Sequence, residues 1–195
     1  MADQKISAMP SASSLTGAEL VPLVQSGANV QTTLGNIASY ANRAYGAWHS
    51  DVTQTASTTV GTAITFDTQD VTDGITLVSG SRLTVPYIGV YNLQFSLQLK
   101  NTDNAQNDAT IWVRVNGVDI GASAGQITVP ARKNASIFGY SLPAWNYFLS
   151  LNANDYVELY WIVDSTLVTM PALPASVSPA YPSIPSAIVT ISKVN

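Results

Sequence analysis

Apolar and polar residues alternate with period two along most of the chain from residue 46 onward, which is the spacing of half-buried β-strands. The segment 91–100 shows this most clearly, because its odd positions are apolar and its even positions are polar. Clusters of Gly, Asn, Asp and Pro separate it from similar segments, as in a β-sandwich or barrel. Further strands are expected at 59–66, 75–78, 82–85, 111–115, 127–129, 136–142, 156–163 and 186–193.

Two turn signals interrupt this pattern. The strand at 111–115 runs into Asn116-Gly117, which suits a type I′ hairpin because both residues tolerate positive φ. Near the end of the chain, closely spaced prolines predict a stiff, extended crossing loop, which either only joins two strands or also makes contacts. These prolines are Pro171, Pro174, Pro179, Pro182 and Pro185.

The first 45 residues follow a different pattern. A short apolar strand at 18–25, a turn at Ser26-Gly27 and a return strand at 28–32 are expected, followed by a helix that Thr33 caps. This strand-turn-strand-helix unit has too little apolar area to fold alone, so it needs a host to pack on. Its apolar side chains include Leu20, Val21, Leu23, Val24, Leu34 and Ile37.

Composition adds that the chain is unusually poor in charge. Charged residues make up 10% of the sequence and hydrophobic residues 46%, whereas about 25% charged is typical of soluble domains. Large apolar patches on a monomer would aggregate, so this balance favours an obligate oligomer.

The same numbers argue against several partners. The net charge is -4 with only eight Lys and Arg, so there is no basic stripe for nucleic acid. No run approaches the roughly 20 apolar residues of a membrane span, and we expect no membrane insertion and no export signal. With no cysteine in the chain, stability must come from burial and subunit contacts.

Three stretches of the second region resemble the trimeric C1q and tumour-necrosis-factor-like jelly-roll superfamily. They are LTVPYIGVYNL at 83–93, VRVNG at 113–117 and LSLNANDYVEL at 149–159. The last is similar to the family's Leu-x-x-Gly-Asp-x-Val-x-Leu signature, with Asn154 in place of Gly, and Asn also tolerates a left-handed turn. The resemblance implies an all-β antiparallel jelly-roll sandwich over residues 46–195 that forms a homotrimer.

The first region resembles the opening of many phage tail-fibre, tail-spike and related virion proteins. The resemblance lies in KISA at 5–8, LTGAELVPLVQ at 15–25 and Thr33-Leu34. In those families this stretch attaches the protein to the particle. It implies that residues 1–45 form a virion-anchoring segment, and that the six apolar side chains named above make the anchoring contact.

Catalysis finds little support in the sequence. The only histidine, His49, stands near Asp51, and a structural role is favoured over a serine–histidine–aspartate arrangement. Acids such as Asp103, Asp108 and Asp119 lie in turn-like contexts, where side-chain bonds to the backbone explain them. We therefore expect a protein that is not an enzyme and binds no cofactor.

The best metal candidates are three aspartates of one segment, Asp67, Asp70 and Asp73. Calcium favours several oxygen ligands from one loop. The segment lacks the terminal Glu of the EF-hand pattern, so a solvated turn is the favoured interpretation and no metal is assigned.

Aromatic residues are the candidates for a receptor or trimer contact. Trp145, Tyr147 and Phe148 follow Pro143 in what the sequence predicts to be a loop, and Tyr181 lies in the Pro-rich crossing. Exposed aromatic rings stack on sugars and anchor interfaces. The competing interpretation, which we favour, is that they plug the end of the sandwich or the trimer axis.

Together these observations predict a bacteriophage virion structural protein made in the host cytoplasm. It would be a trimeric short fibre, knob, head fibre or decoration protein that binds itself and, through residues 1–45, another virion protein, with a host-surface glycan or protein as a further candidate partner. The alternatives are a polysaccharide-degrading tail spike and a capsid-stabilising decoration protein with no receptor role.

Overall fold

The computed structural model describes residues 14–41 and 44–194. The chain divides into two compact units, residues 1–42 and 43–195, whereas the sequence pattern predicts the boundary at residue 45. The KISA stretch at 5–8 lies outside the described residues. No helix in the described ranges is long and apolar enough to cross a membrane.

The N-terminal unit is the predicted strand-turn-strand-helix. Strands β1 (Leu20–Gln25) and β2 (Ala28–Thr33) pair antiparallel, and helix α1 covers Leu34–Ala41. Ser26 (φ 51°) and Gly27 (φ 80°) form the turn, and positive φ at both positions is what a type I′ hairpin requires. The Asn36 amide donates to Thr33 Oγ1 at 3.1 Å, so Thr33 caps the helix as predicted.

The second unit contains the remaining strands. In chain order they are β3 (Tyr45–Ser50), β4 (Gln54–Thr55), β5 (Thr62–Ala63), β6 (Thr68–Asp73), β7 (Thr76–Val78), β8 (Arg82–Thr84), β9 (Gly89–Leu97), β10 (Leu99–Asn101), β11 (Asn107–Val115), β12 (Val118–Asp119), β13 (Gly125–Val129), β14 (Gly139–Ser141), β15 (Ala144–Leu151), β16 (Tyr156–Val163), β17 (Val168–Met170), β18 (Ser176–Val177), β19 (Ala180–Tyr181) and β20 (Ala187–Lys193).

These strands form a sandwich of antiparallel sheets. The five-stranded sheet has the order β15-β9-β20-β3-β6. The seven-stranded sheet has the order β12-β11-β16-β8-β7, with β13 also on β11 and β5 also on β16. A four-stranded sheet, β14-β10-β17-β4, adjoins them, and β18 and β19 form a separate hairpin. The prediction of an all-β sandwich is confirmed.

The core lies between the two main sheets and follows the period-two pattern. Every odd residue from Tyr91 to Leu99 is buried, because alternate side chains of a strand point to one face. Trp48 and Trp161 fill the core from opposite sheets. The predicted turn at Asn116 (φ 52°) and Gly117 joins β11 to β12, and Asn154 adopts the left-handed conformation at φ 68°.

Several strand boundaries differ from the prediction. Within 59–66 only Thr62–Ala63 is a strand, because the backbone next to it bonds to two different partners: Ile64 N donates to Leu159 O and Phe66 N to Gly80 O. Within 136–142 only Gly139–Ser141 is a strand.

The Pro-rich segment is not the plain extended loop that the sequence predicted. It contains the β18–β19 hairpin, in which Ser176 pairs with Tyr181 and Val177 with Ala180. A further bridge joins Leu173 to Ile184. Proline lacks the amide donor of a ladder, and here no proline occupies a paired position of the hairpin, so the two short strands can form.

Candidate interaction surfaces

The N-terminal unit exposes three of the six residues that the sequence assigned to anchoring, and the other three, Val21, Leu23 and Leu34, are half-buried. The exposed fractions are 61% for Leu20, 68% for Val24 and 38% for Ile37. No side chain described in residues 14–41 is buried. Because side chains alternate along β1, Leu20 and Val24 lie on one face of the hairpin and Val21 and Leu23 on the other. The anchoring candidates of β1 are therefore divided between two faces, and within the described residues 14–41 no buried core covers them.

Hydrogen bonds rather than a core hold this unit together. The Glu19 carboxylate accepts bonds from the Thr16 amide (2.7 Å), the Thr16 hydroxyl (2.8 Å) and the Gly17 amide (2.7 Å), and these lower the pKa of Glu19 to about 2. The Gly35 amide donates to Gly17 O at 2.8 Å, and a Cβ on Gly35 would lie 2.9 Å from that oxygen. The start of α1 is thereby fixed to the segment preceding β1.

Two of the four aromatic candidates point into the sandwich. The expectation of a loop is wrong, because Trp145 and Tyr147 lie in β15, an edge strand of the five-stranded sheet. Both pack on the core. Trp145 meets the ring of Phe95 edge-on at 5.5 Å, and Tyr147 Oη donates to Ser123 O at 2.6 Å.

The other two candidates are exposed and belong to different elements. Phe148 is 64% exposed on the outer side of β15, and Tyr181 is 46% exposed in β19. The structure therefore does not gather the four aromatics into one contact surface. Alternation along β15 separates Phe148 from Trp145 and Tyr147, because neighbouring side chains of a strand face opposite ways.

Four of the five strands of the five-stranded sheet have an uncharged outer face, and the fifth, β6, carries Asp70 and Asp73. Across β15, β9, β20 and β3 the outward positions carry no Asp, Glu, Lys or Arg, and we call this surface the neutral face. Gln94, Ser96, Ile188 and Thr190, together with Phe95, line a shallow depression of about 230 Å³ at its centre. The outward residues are Tyr45, Ala47, His49, Val90, Asn92, Gln94, Ser96, Ala144, Asn146, Phe148, Ser150, Ile188, Thr190 and Ser192.

The outer face of the seven-stranded sheet carries charges instead. Arg82 Nε lies 3.5 Å from Glu158 Oε1, and Arg114 Nε lies 3.0 Å from Asp119 Oδ1. Each arginine also stacks on a tyrosine: Arg82 on Tyr156 at 4.8 Å and Arg114 on Tyr160 at 4.4 Å. The opposite sheet therefore carries arginine ion pairs, whereas the neutral face carries no Asp, Glu, Lys or Arg.

His49 lies at the edge of the neutral face between two carboxylates. Its Nδ1 is 2.9 Å from Asp70 Oδ1 and its Nε2 is 3.4 Å from Asp51 Oδ2. The hydrogen bond with Asp70 raises the pKa of His49 above its ordinary value. Since both ring nitrogens face carboxylates, neither is directed at a serine, as a catalytic triad requires. His49, Asp51 and Asp70 line a depression of about 300 Å³ together with Ser183, Pro185 and Ile188.

The three aspartates considered for calcium do not converge. Asp70 and Asp73 lie in strand β6 rather than in a turn. Asp67 accepts hydrogen bonds from the Asp51 amide at 3.1 Å and the Thr68 hydroxyl at 3.0 Å. Within the described residues, no group of three or more His, Cys, Asp or Glu side chains is placed to hold a metal ion.

Comparison with known proteins adds no family to this description. No protein-family model matches the chain, and no curated protein is significantly similar to it.

Two features of these surfaces were missed at the level of sequence. The first is the Glu19 turn, which the Thr-x-x-Glu spacing of Thr16 and Glu19 could have revealed, since that spacing is typical of capping interactions. The second is the neutral face. The even positions of β9 are visibly uncharged in the sequence, but which strands lie beside β9 depends on the fold.

The two orientations within β15 predict different effects of alanine substitution. Trp145→Ala removes a ring that packs on the core, so the free energy of unfolding should fall by roughly 2–4 kcal/mol. Phe148→Ala, a matched control from the same strand, should change it by less than about 0.5 kcal/mol in the dissociated subunit. Chemical denaturation of both variants at low protein concentration measures the difference, and equal losses would contradict the assigned orientations.

His49 predicts a specific pH dependence of stability. Because the folded-state pKa is raised, the contribution of the His49–Asp70 contact is fully present below pH 6.5 and is lost as pH rises through the folded-state pKa. The chain has no other histidine and no cysteine, so few groups titrate in this range. Denaturation curves measured from pH 6.5 up through the folded-state pKa should show a fall in the free energy of unfolding of the unmodified chain. His49→Gln should abolish this fall. If His49→Gln shows the same pH-dependent fall in the free energy of unfolding, another group is responsible for it.

Proposed function

We propose that this chain is a non-enzymatic structural protein of a bacteriophage particle. Its second unit is a jelly-roll sandwich that forms a homotrimer through the neutral face. Its first unit attaches the trimer to another virion protein. The observation that carries this proposal is that the neutral face has no Asp, Glu, Lys or Arg, whereas the opposite sheet presents Arg82 and Arg114.

The neutral face supports self-association on physical grounds. Neutral hydroxyl and amide side chains lose less hydration energy on burial than charged ones do. Phe148, Ile188 and Tyr45 add exposed apolar area to the face, with exposed fractions of 64%, 40% and 41%. Burying this area against a second copy is favourable, whereas the opposite face would have to desolvate Arg82 and Arg114. A chain with 10% charged residues also needs such a means of covering its surface.

Strand order supports the jelly-roll assignment. Strands adjacent in the sheets are distant in sequence: β20 lies between β9 and β3, and β16 lies between β11 and β8. Such antiparallel neighbours joined by long connections are typical of Greek-key sandwiches. Together with the three stretches that resemble the C1q and tumour-necrosis-factor-like superfamily, this order favours that fold and its threefold assembly.

The N-terminal unit supports attachment to a larger particle. Its segment 15–25 resembles virion attachment segments, and none of the side chains described in residues 14–41 is buried. Strand β3 begins at Tyr45, shortly after α1 ends at Ala41, so the chain has no shaft between anchor and sandwich. Tail fibres usually carry such a shaft. A short fibre, knob or decoration protein is therefore the form that we propose.

Attachment predicts a specific loss of incorporation. Leu20→Asp combined with Val24→Asp places two charges on one exposed face of β1, where burial against a partner becomes unfavourable. Particles assembled with this variant should contain at least about tenfold less of the chain, since about 1.4 kcal/mol of lost binding energy suffices for that change. Quantitative mass spectrometry of purified particles measures it.

A valine elsewhere supplies the control for this experiment. Val118→Asp, at a position 67% exposed in β12, should be incorporated like the unmodified chain. Absence of the unmodified chain from purified particles would refute the virion assignment. Normal incorporation of the double variant would refute only the role of this hairpin face.

The trimer contact predicts a strong effect of one lysine on the neutral face. Thr190 is exposed on β20 at the centre of that face, and Thr190→Lys would bury an unpaired ammonium in each contact. Burying this ammonium should cost about 3 kcal/mol or more, which raises the dissociation constant of the trimer at least about 100-fold. Sedimentation velocity should show monomers of Thr190→Lys at concentrations where Thr76→Lys, exposed on the opposite sheet, remains a trimer. Equal behaviour of the two variants would place the contact elsewhere.

A further inference from the structure

The Pro-rich segment is an exposed arm whose two ends are held on the sandwich. We define the arm as residues 171–186. Its two ends are fixed by buried residues, Met170 at the end of β17 and Ser186 before β20. The Ser186 hydroxyl donates to Val52 O at 2.7 Å, and the Ala172 amide donates to Thr53 Oγ1 at 3.2 Å. The arm therefore begins and ends at fixed positions on the sandwich.

Beyond these roots the arm is exposed and uncharged. Residues 177–183 are all exposed, and Val177 reaches 94%. The sequence from 165 to 192 contains no Asp, Glu, Lys or Arg. Hairpins with so few paired residues are marginal in water unless they pack on another element. An exposed apolar hairpin on fixed roots has the properties of a docking element.

The neutral face has the complementary properties. It is uncharged like the arm, and its central depression, lined by Ser96, Ile188 and Thr190 among others, is large enough for an aliphatic side chain. The base of the arm also adjoins this face, because Ser183 and Pro185 line the His49 depression together with Ile188. The base of the arm and the neutral face thus meet at the His49 depression, which Asp51 and Asp70 also line.

We propose that the arm of each subunit packs on the neutral face of the neighbouring subunit, with Val177 directed toward the central depression. This inference rests on the proposed trimer and specifies its contact. A second copy is the favoured occupant because the arm and the neutral face match in their lack of charge, whereas the opposite sheet presents Arg82 and Arg114. An arm packing on a different surface of its neighbour makes a heterologous contact, and such contacts close into rings such as a trimer.

The absence of cysteine from the chain permits a direct crosslinking test. A variant with both Val177→Cys and Thr190→Cys, treated with a short bismaleimide, should give covalent dimers and trimers on denaturing gels. Each single variant should stay monomeric on the gel, because the two positions meet only across the contact. The matched control combines Val118→Cys with Thr190→Cys and should also stay monomeric.

Association of single variants separates this inference from the proposed function. Val177→Asp should raise the dissociation constant of the trimer at least tenfold, and Val118→Asp should leave it unchanged. A trimer that persists with Val177→Asp and gives no crosslink in the double-cysteine variant overturns the arm contact and leaves the proposed trimer standing. A monomeric unmodified chain overturns both.

Discussion

The surface of this protein is governed by the cost of removing charge from water. A β-sandwich has two outer faces, and each must either remain hydrated or be covered by something that compensates for its polar groups. In this chain the arginine ion pairs lie on the seven-stranded sheet, while β15, β9 and β20 of the five-stranded sheet present neutral outward side chains and the His49 carboxylate contacts lie at its β6 edge. Burying the neutral face therefore costs little desolvation free energy, whereas burying the face with the arginines costs more. The proposals on assembly follow from this asymmetry.

The charged groups on the outer face of the seven-stranded sheet are paired with neighbours of the same subunit. Glu158 is only 3% exposed, and its carboxylate accepts a bond from the Ser81 hydroxyl at 2.8 Å while Arg82 lies beside it. A buried carboxylate is tolerated when it is paired and hydrogen-bonded. Arg82 and Arg114 keep contact with water while their guanidinium groups cover Tyr156 and Tyr160. These contacts all lie within one subunit.

The sequence predicted what local chemistry determines. Alternation fixed the inward residues of β9, Asn116-Gly117 fixed a hairpin, and Thr33 fixed the start of α1. The sequence-based prediction failed where the environment of a residue depends on which distant strand pairs with it. Trp145 and Phe148 lie only three residues apart and were assigned to one loop, because nothing local shows that β9 supplies a partner strand. The Pro-rich arm was expected to be extended, since the number of prolines hides the fact that their positions leave Ser176, Val177, Ala180 and Tyr181 free to pair.

For the candidate surfaces too, local sequence predicted one feature and tertiary pairing determined the others. The apolar pattern of β1 and the cap at Thr33 identified the N-terminal unit, and the structure adds that Leu20, Val24 and Ile37 are exposed. The neutral face could not be found in this way, because it combines residues from four strands that are scattered between positions 45 and 192. His49 and Asp70 likewise meet only because β3 and β6 are neighbours across a bulge.

The central claim is that copies of this chain cover one another's uncharged surface. Sedimentation equilibrium of the unmodified full chain across a dilution series tests it most directly. The account predicts a species of three times 20.6 kDa that persists into the submicromolar range. A single species of 20.6 kDa at every concentration, with the neutral face open to solvent, would contradict it.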